Sequence, residues 1–350
     1  NPDAKWEKLA TTNIGLDATL FNSLDFTAEY FDKTTSNLLV QNQPPLTTTN
    51  ATQPSVNVGK VQNRGFEFSL GKRGNIIDGL RYEANVTFTH FVNKVIQVLD
   101  NPDSFLSGGA TNRTQAGLPI GYFYGYKIDG FFNTQEEVNA YNATTTTWLQ
   151  PAVGRWKIAD RNGDGVVNDF DRGYNGTVIP DFQMGFNFSV AYKNFDLSTF
   201  LFWNQGGKIY NSARSITDFN EQAHNRSTRM LYESWTPELG NNAKLPKLDI
   251  NDTYSNRNTT DYQLESASYL RMKTLQLGYN FPKSKLSRMK IDKFRAYVQA
   301  QNLFTITKFT GLDPDGALGS STSNDLTMGV LNLGTPPTPT QILVGFNLGF

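Results

Sequence analysis

The sequence predicts an all-β protein: a transmembrane antiparallel β-barrel, of which this chain supplies about nine strands. Three observations predict it. Apolar residues recur at every second position through much of the chain, which is the period of a strand and not of a helix. The links between these alternating segments are short and long in strict succession. No apolar run of about 18 residues is present, so no helix of this chain could cross a bilayer.

The first strand is expected at 11–21, where Ile14, Leu16, Ala18 and Leu20 alternate with Asn13, Gly15, Asp17 and Thr19. A very short link around Asn22-Ser23 leads to 24–39. A long link, 40–59, leads to 60–72, and a short one, Lys72 to Leu80, leads to 81–98. There Tyr82, Ala84, Val86 and Phe88 alternate with Glu83, Asn85, Thr87 and Thr89. The longest link, 99–180, precedes 181–193, in which Phe182, Met184, Phe186, Phe188, Val190 and Tyr192 share a face. Lys193-Asn194 is a tight turn into 195–210. That strand faces ambiguously, with Leu197, Leu201 and Trp203 on one side and Phe200 and Phe202 on the other; its inner face is expected to pack against something inside the barrel. The long link 211–267 leads to 268–281, the short link Pro282 to Asp292 to 293–307, and the long link 308–340 to 341–350. In the last strand Ile342, Val344, Phe346, Leu348 and Phe350 fall on one face.

Most of these segments reach the roughly 9–11 residues that a tilted strand needs to cross a bilayer. Adjacent antiparallel strands place successive links at opposite ends, so all the short links share one end and all the long links the other. Outer-membrane barrels have this asymmetry, with short periplasmic turns and long extracellular loops, whereas a soluble sandwich has no reason for it. The apolar face then meets lipid and the polar face lines a lumen. An odd, open set of strands would leave unpaired edges in hydrocarbon. The rest of the barrel is therefore expected to precede Asn1.

Composition excludes several functions. Lys plus Arg and Asp plus Glu each number 32, so the basic surplus that nucleic acid requires is missing. Cysteine is absent, which excludes disulfides and thiolate metal sites, and His90 and His224 are too few for a histidine-rich zinc site. Aromatics make up 13% of the chain, as the interfacial girdles of a barrel would require. No Gly-x-Ser-x-Gly or other catalytic constellation is readable, and Gly206-Gly207-Lys208 lacks the spacing of a phosphate loop and reads as a strand end entering a loop. No enzymatic activity is expected.

Two stretches of the longest link carry chemistry. Asp160-Arg161-Asn162-Gly163-Asp164-Gly165-Val166-Val167-Asn168-Asp169-Phe170-Asp171 fits a twelve-residue calcium loop. Asp160, Asn162 and Asp164 would supply side-chain oxygens, Val166 its carbonyl and Asn168 a water-mediated contact, with Asp171 closing the loop in place of the usual Glu. Gly165 would permit the sharp turn. The competing reading is an Asp/Asn/Gly turn held by its own side-chain hydrogen bonds. In Gly121-Tyr122-Phe123-Tyr124-Gly125-Tyr126, the rings of Tyr122, Phe123 and Tyr124 could stack on a ligand. The plainer reading, favoured here, is that they pack the loop onto a plug or a lumen wall.

A further set of segments resembles the SusC/RagA family of TonB-linked outer-membrane proteins of Bacteroidetes, over essentially all of the chain. In order, these are Asn1-Pro2-Asp3-Ala4-Lys5-Trp6-Glu7, Asn63-Arg64-Gly65-Phe66-Glu67, the block from Gly117 to Phe132, Asp160 to Asp171 with Pro180-Asp181-Phe182, Ser268-Tyr269-Leu270-Arg271-Met272-Lys273, Gln301 to Thr307, and Gly311-Leu312-Asp313-Pro314. The resemblance implies residues 1–350 as the C-terminal part of a plugged barrel of about 22 strands, multi-pass in the bacterial outer membrane. The plug and TonB box would lie upstream. It also implies TonB-driven import of an oligosaccharide or peptide, with a SusD-like surface lipoprotein over the long loops. Two rivals stand beside import: a barrel of this type scaffolding another outer-membrane complex, and a secreted calcium-stabilised adhesin or carbohydrate-binding protein.

Overall fold

The computed structural model describes residues 5–41, 55–99, 101, 104–142, 150–219, 225–249, 259–286, 291–316, 327–331 and 334–350. His224, Asn1–Ala4 and most of the link expected at 40–59 lie outside them. Nine long strands form one antiparallel sheet in sequence order: β1 (Lys8–Leu20), β2 (Leu24–Gln41), β3 (Ser55–Ile77), β4 (Leu80–Gln97), β5 (Phe182–Tyr192), β6 (Phe195–Gln205), β7 (Tyr269–Asn280), β8 (Lys293–Gln301) and β9 (Gln341–Gly349). A short tenth strand, Thr305–Thr307, pairs with the start of β7. β1 and β9 are the two edges, with no pairing between them among the described residues.

The registers show why alternation builds a membrane wall. Leu16 pairs with Ala28, Ala28 with Phe68, Phe68 with Phe88, Phe88 with Met184, Met184 with Trp203, Trp203 with Leu270 and Leu270 with Ile306. The next row runs Ala18, Phe26, Leu70, Val86, Phe186, Leu201 and Met272. A slip of one residue in any pair would break both rows, so the register is fixed by the pattern itself. The facing of β6 is thereby settled: Leu197, Leu201 and Trp203 join the apolar rows. Phe200 and Phe202 lie on the opposite face, where the Phe202 ring sits 6.0 Å from that of Tyr269.

The short links hold as expected and are tighter at one place. β3 and β4 run on to Ile77 and Leu80, leaving only Asp78-Gly79 as the turn, in place of the link expected at 72–80. Two strands expected to be continuous are broken. The segment 195–210 ends at Gln205, because Gly206 and Gly207 take φ of +81° and +70°, and Lys208–Asn211 leaves the barrel sheet. A side chain at Gly206 would also collide with the Asp181 carboxylate. The segment 293–307 breaks after Gln301, where Asn302 (φ +51°) begins an irregular stretch before Thr305–Thr307 pairs with Tyr269–Arg271.

Where they are described, three of the long links are folded. One carries a four-stranded sheet of Gly173–Tyr174, Tyr122–Gly125, Asn112–Gln115 and Phe105–Gly108, a two-stranded ribbon of Ile128–Phe131 with Trp156–Ile158, and a helix at Gln135–Asn142. Lys208–Asn211 pairs with Leu264–Ser266 and with Val330–Leu331, so two different links share one small sheet. Among the described residues, the buried apolar side chains on the nine long strands are Phe31, Val95 and Tyr269; all the others belong to the links. The principal cluster joins Phe131 and Trp156 from one link to Phe219, Met230, Trp235, Ala243 and Leu245 from another. A second gathers Ile209, Ala267, Phe309 and Leu331. The water-excluding core of this chain thus sits at the end that bears the long links, while the sheet turns its apolar face outward.

Candidate functional site

At the loop end the calcium-like segment folds into a turn closed by its own side chains. The Asp160 carboxylate accepts from the N–H groups of Gly163 and Gly165 at 2.7 and 2.8 Å. Asn162 Oδ1 accepts from Asp164 N–H at 2.9 Å, and Asp164 Oδ1 from Val166 N–H at 2.7 Å. Gly165 has φ of +80°, as the sharp turn requires. Asp171 is fully buried and accepts from Arg161 N–H at 2.8 Å and Asn168 N–H at 2.7 Å, while Asn168 caps the short 3-10 turn Asp169–Asp171. Asn168 Nδ2 also donates to the Val166 carbonyl at 3.3 Å. Among the described residues no group of three or more acidic or histidine side chains gathers as a metal-holding cluster. The donor types suit a hard cation, and an oxygen accepting one N–H keeps a lone pair.

The aromatic block has two faces. Tyr122 and Phe123 are buried, and their rings pack within the folded link. Tyr124 is half-buried, with the Arg113 guanidinium carbon 3.5 Å and that of Arg172 4.9 Å from its ring centroid. Arg113 also lies 3.7 Å from the Phe105 centroid. Tyr126 is buried, and its hydroxyl donates to Asp169 Oδ1. Burial, and then that bond to a carboxylate, raises the Tyr126 hydroxyl above its ordinary pKa, so it stays a donor.

These side chains surround a polar cavity of about 290 Å³, bounded by Ser107, Asn112, Arg113, Tyr124, Arg172 and Thr259 among others. Backbone packs tightly beside it at Thr259. Tyr126 N–H donates to the Thr259 carbonyl at 2.9 Å, and Gly125 is needed there, since a Cβ would lie 2.4 Å from that oxygen. Of the cavity's residues, only Tyr124 is a ligand-stacking candidate of the sequence. Arg113 carried no readable pattern, and Arg172 is marked only by following the residue that closes the calcium-like turn.

A second polar cluster unites two motifs far apart in the chain. Arg271 donates to Asp313 Oδ1 at 2.5 Å and to Asp315 Oδ2 at 3.2 Å. Lys273 and the Tyr269 hydroxyl donate to Asp315 at 2.6 and 2.8 Å. Burial alone would raise the Asp313 carboxyl. The hydrogen bonds from Thr338 and Arg271 and the neighbouring backbone N–H groups outweigh it and hold the group at about 2. The cluster ties the loop after β8 to the loop end of β7.

A family model described as TonB dependent receptor-like, beta-barrel matches residues 1–201. TonB-dependent receptor P3 of Formosa agariphila is 29% identical over 359 residues, covering 100% of this chain and 35% of that protein. TonB-dependent receptor SusC of Bacteroides thetaiotaomicron is 26% identical over 327 residues, covering 90% of this chain and 30% of that protein. Among solved structures, the RagAB peptide transporter superposes with a TM-score of 0.79 at 22% identity, over 100% of this chain and 36% of that one. The chain spans about a third of the length of these relatives.

Proposed function

This chain belongs to the TonB-dependent receptor-like β-barrel family, as a SusC/RagA-like outer-membrane protein, and on that premise we propose that it forms part of the wall and the outer rim of an importer for bulky nutrients. The protein would take up an oligosaccharide or a peptide, driven through TonB, with a SusD-like surface lipoprotein over the long links. The related proteins are receptors and transporters, and in this reading the chain makes and breaks no bond. The observation that carries the reading is the sorting of links: short turns at one end of the sheet, and at the other a folded layer built from three of the four long links. A rim of that kind suits selective capture above a lumen; a wall alone would not need it.

The test is uptake. Cells lacking the gene are expected to lose growth on one oligosaccharide or peptide source, and cells lacking TonB to lose it too. Normal growth of the deletion strain on every such source would overturn the import reading. Calcium in the Asp160–Asp171 turn is a separate part of the proposal. It rests on the donor types and spacing, and it expects protease resistance of that turn to rise with added calcium and fall with chelator.

A further inference from the structure

We propose that the cavity between Arg113, Tyr124 and Arg172 binds a carboxylate group carried by the cargo. This rests on the import reading and names the chemistry that its rim selects. Of the other sheltered arginines, Arg226 donates to the carbonyls of Ile216 and Phe219, and the rest are paired with acids. Arg155, Arg214, Arg229, Arg271 and Arg295 each hold a carboxylate within 3.3 Å. Arg113 and Arg172 are half-buried as well, yet neither has an ion-pair partner among the described residues. The Nε of Arg172 is cut off from solvent and donates to nothing; the same holds for those of Arg155, Arg214 and Arg229, but those three have a carboxylate beside them.

Both guanidiniums are instead held by ring faces, Arg113 between Phe105 and Tyr124, and Arg172 near Tyr124 and Tyr126. Stacking fixes the plane of a guanidinium; Arg113 also has a side-chain hydrogen bond with Tyr122, and the edge N–H groups that remain suit a planar, two-oxygen acceptor. Among the described lining residues, two guanidiniums against the one carboxylate of Asp169 leave a surplus of one positive charge. The Asp169 oxygen that accepts from Tyr126 marks the side the anion would avoid. A partly sheltered charge without a counter-ion is relieved by a ligand that brings one. At about 290 Å³ the cavity has room for roughly ten water molecules, enough for one sugar ring or one amino acid but not for a whole oligomer. It therefore reads one residue of the cargo, by its acid group.

That acid could be the chain end of a peptide or the uronate of an acidic oligosaccharide, and binding measurements on the full-length protein in detergent separate the two. The probes are tetra-alanine against its C-terminal amide, and tetragalacturonate against its methyl ester. In one of the pairs the free acid is expected to bind about tenfold or more tightly, the loss on blocking being that of a charge-assisted hydrogen-bonded pair. The pair that discriminates identifies the source. Arg172→Gln is expected to abolish the preference and Arg172→Lys to restore only part of it; Arg113→Gln should behave like Arg172→Gln. Heat-modifiable gel mobility reports whether each variant is still a folded barrel, and Arg172→Gln disturbs the least packing. Equal binding of acid and blocked forms in both pairs, absence of binding by all four probes, or a preference that survives Arg172→Gln in a folded barrel would overturn the proposal. Import is tested apart from it, by whether the wild-type gene restores growth to the deletion strain.

Discussion

Asp313 and Asp171 show how single carboxylates hold the loop end together. Asp313 titrates at about 2 when folded, against an ordinary value of 3.8. A depressed pKa means that its stabilisation is complete above about pH 4 and is lost as pH falls from there through 2, an effect of about 2 kcal/mol. Hydrogen exchange in 311–316 is expected to accelerate over that window, and Asp313→Asn should remove the pH dependence. Asp171 has no ion-pair partner among the described residues; its worth lies in the three backbone N–H groups it satisfies, those of Arg161, Asn162 and Asn168. Asp171→Ala is expected to cost the turn about 1–3 kcal/mol, read as faster proteolysis within 160–171 in a barrel that still assembles. The types of these residues were visible in the sequence. Their partners were not: Arg271 and Asp313 stand in two recognisable motifs 42 positions apart, and nothing in either motif points at the other.

At the scale of the element, strands were the legible part. Period-2 alternation placed each of the nine long strands, because a face that meets lipid must be apolar at every second residue whatever the rest of the molecule does. The same rule carried the expected strand to 210, since Ile209 continues the alternation in a new sheet, although Gly206-Gly207-Lys208 itself reads as a strand end entering a loop, which is where the strand stops. The three- and four-residue strands of the links were too short to show a period at all. Facing makes a sharp test on β5. Phe186 lies in the apolar row between Val86 and Leu201, whereas Asn187 points to the polar face. Phe186→Arg is expected to destabilise the barrel by about 2–4 kcal/mol, and Asn187→Arg by much less, in urea titrations of the full-length protein in lipid vesicles. Equal costs would mean that the sheet is facing the wrong way.

At the scale of the whole molecule the chain lives in two solvents. Its sheet is stabilised by hydrogen bonds and by lipid on one face, and its links by the exclusion of water from Trp156, Trp235, Ile209 and their neighbours. Thermal scans of the full-length protein in detergent are therefore expected to show loop-layer melting apart from the barrel, detected as loss of near-ultraviolet signal from the buried tryptophans while strand signal persists. Trp156→Ala should lower the first transition, by about 3–5 kcal/mol, and leave the second in place. A single transition common to both signals would show that layer and barrel fold as one unit.

Links folded before any cargo arrives have little conformational entropy left to lose on contact. A molecule landing on Trp156's layer meets a surface whose shape is already decided, so recognition runs as a fit and not as a wrapping. Discrimination between cargoes then falls to the few polar groups left facing outward, and a change of diet needs only those to change.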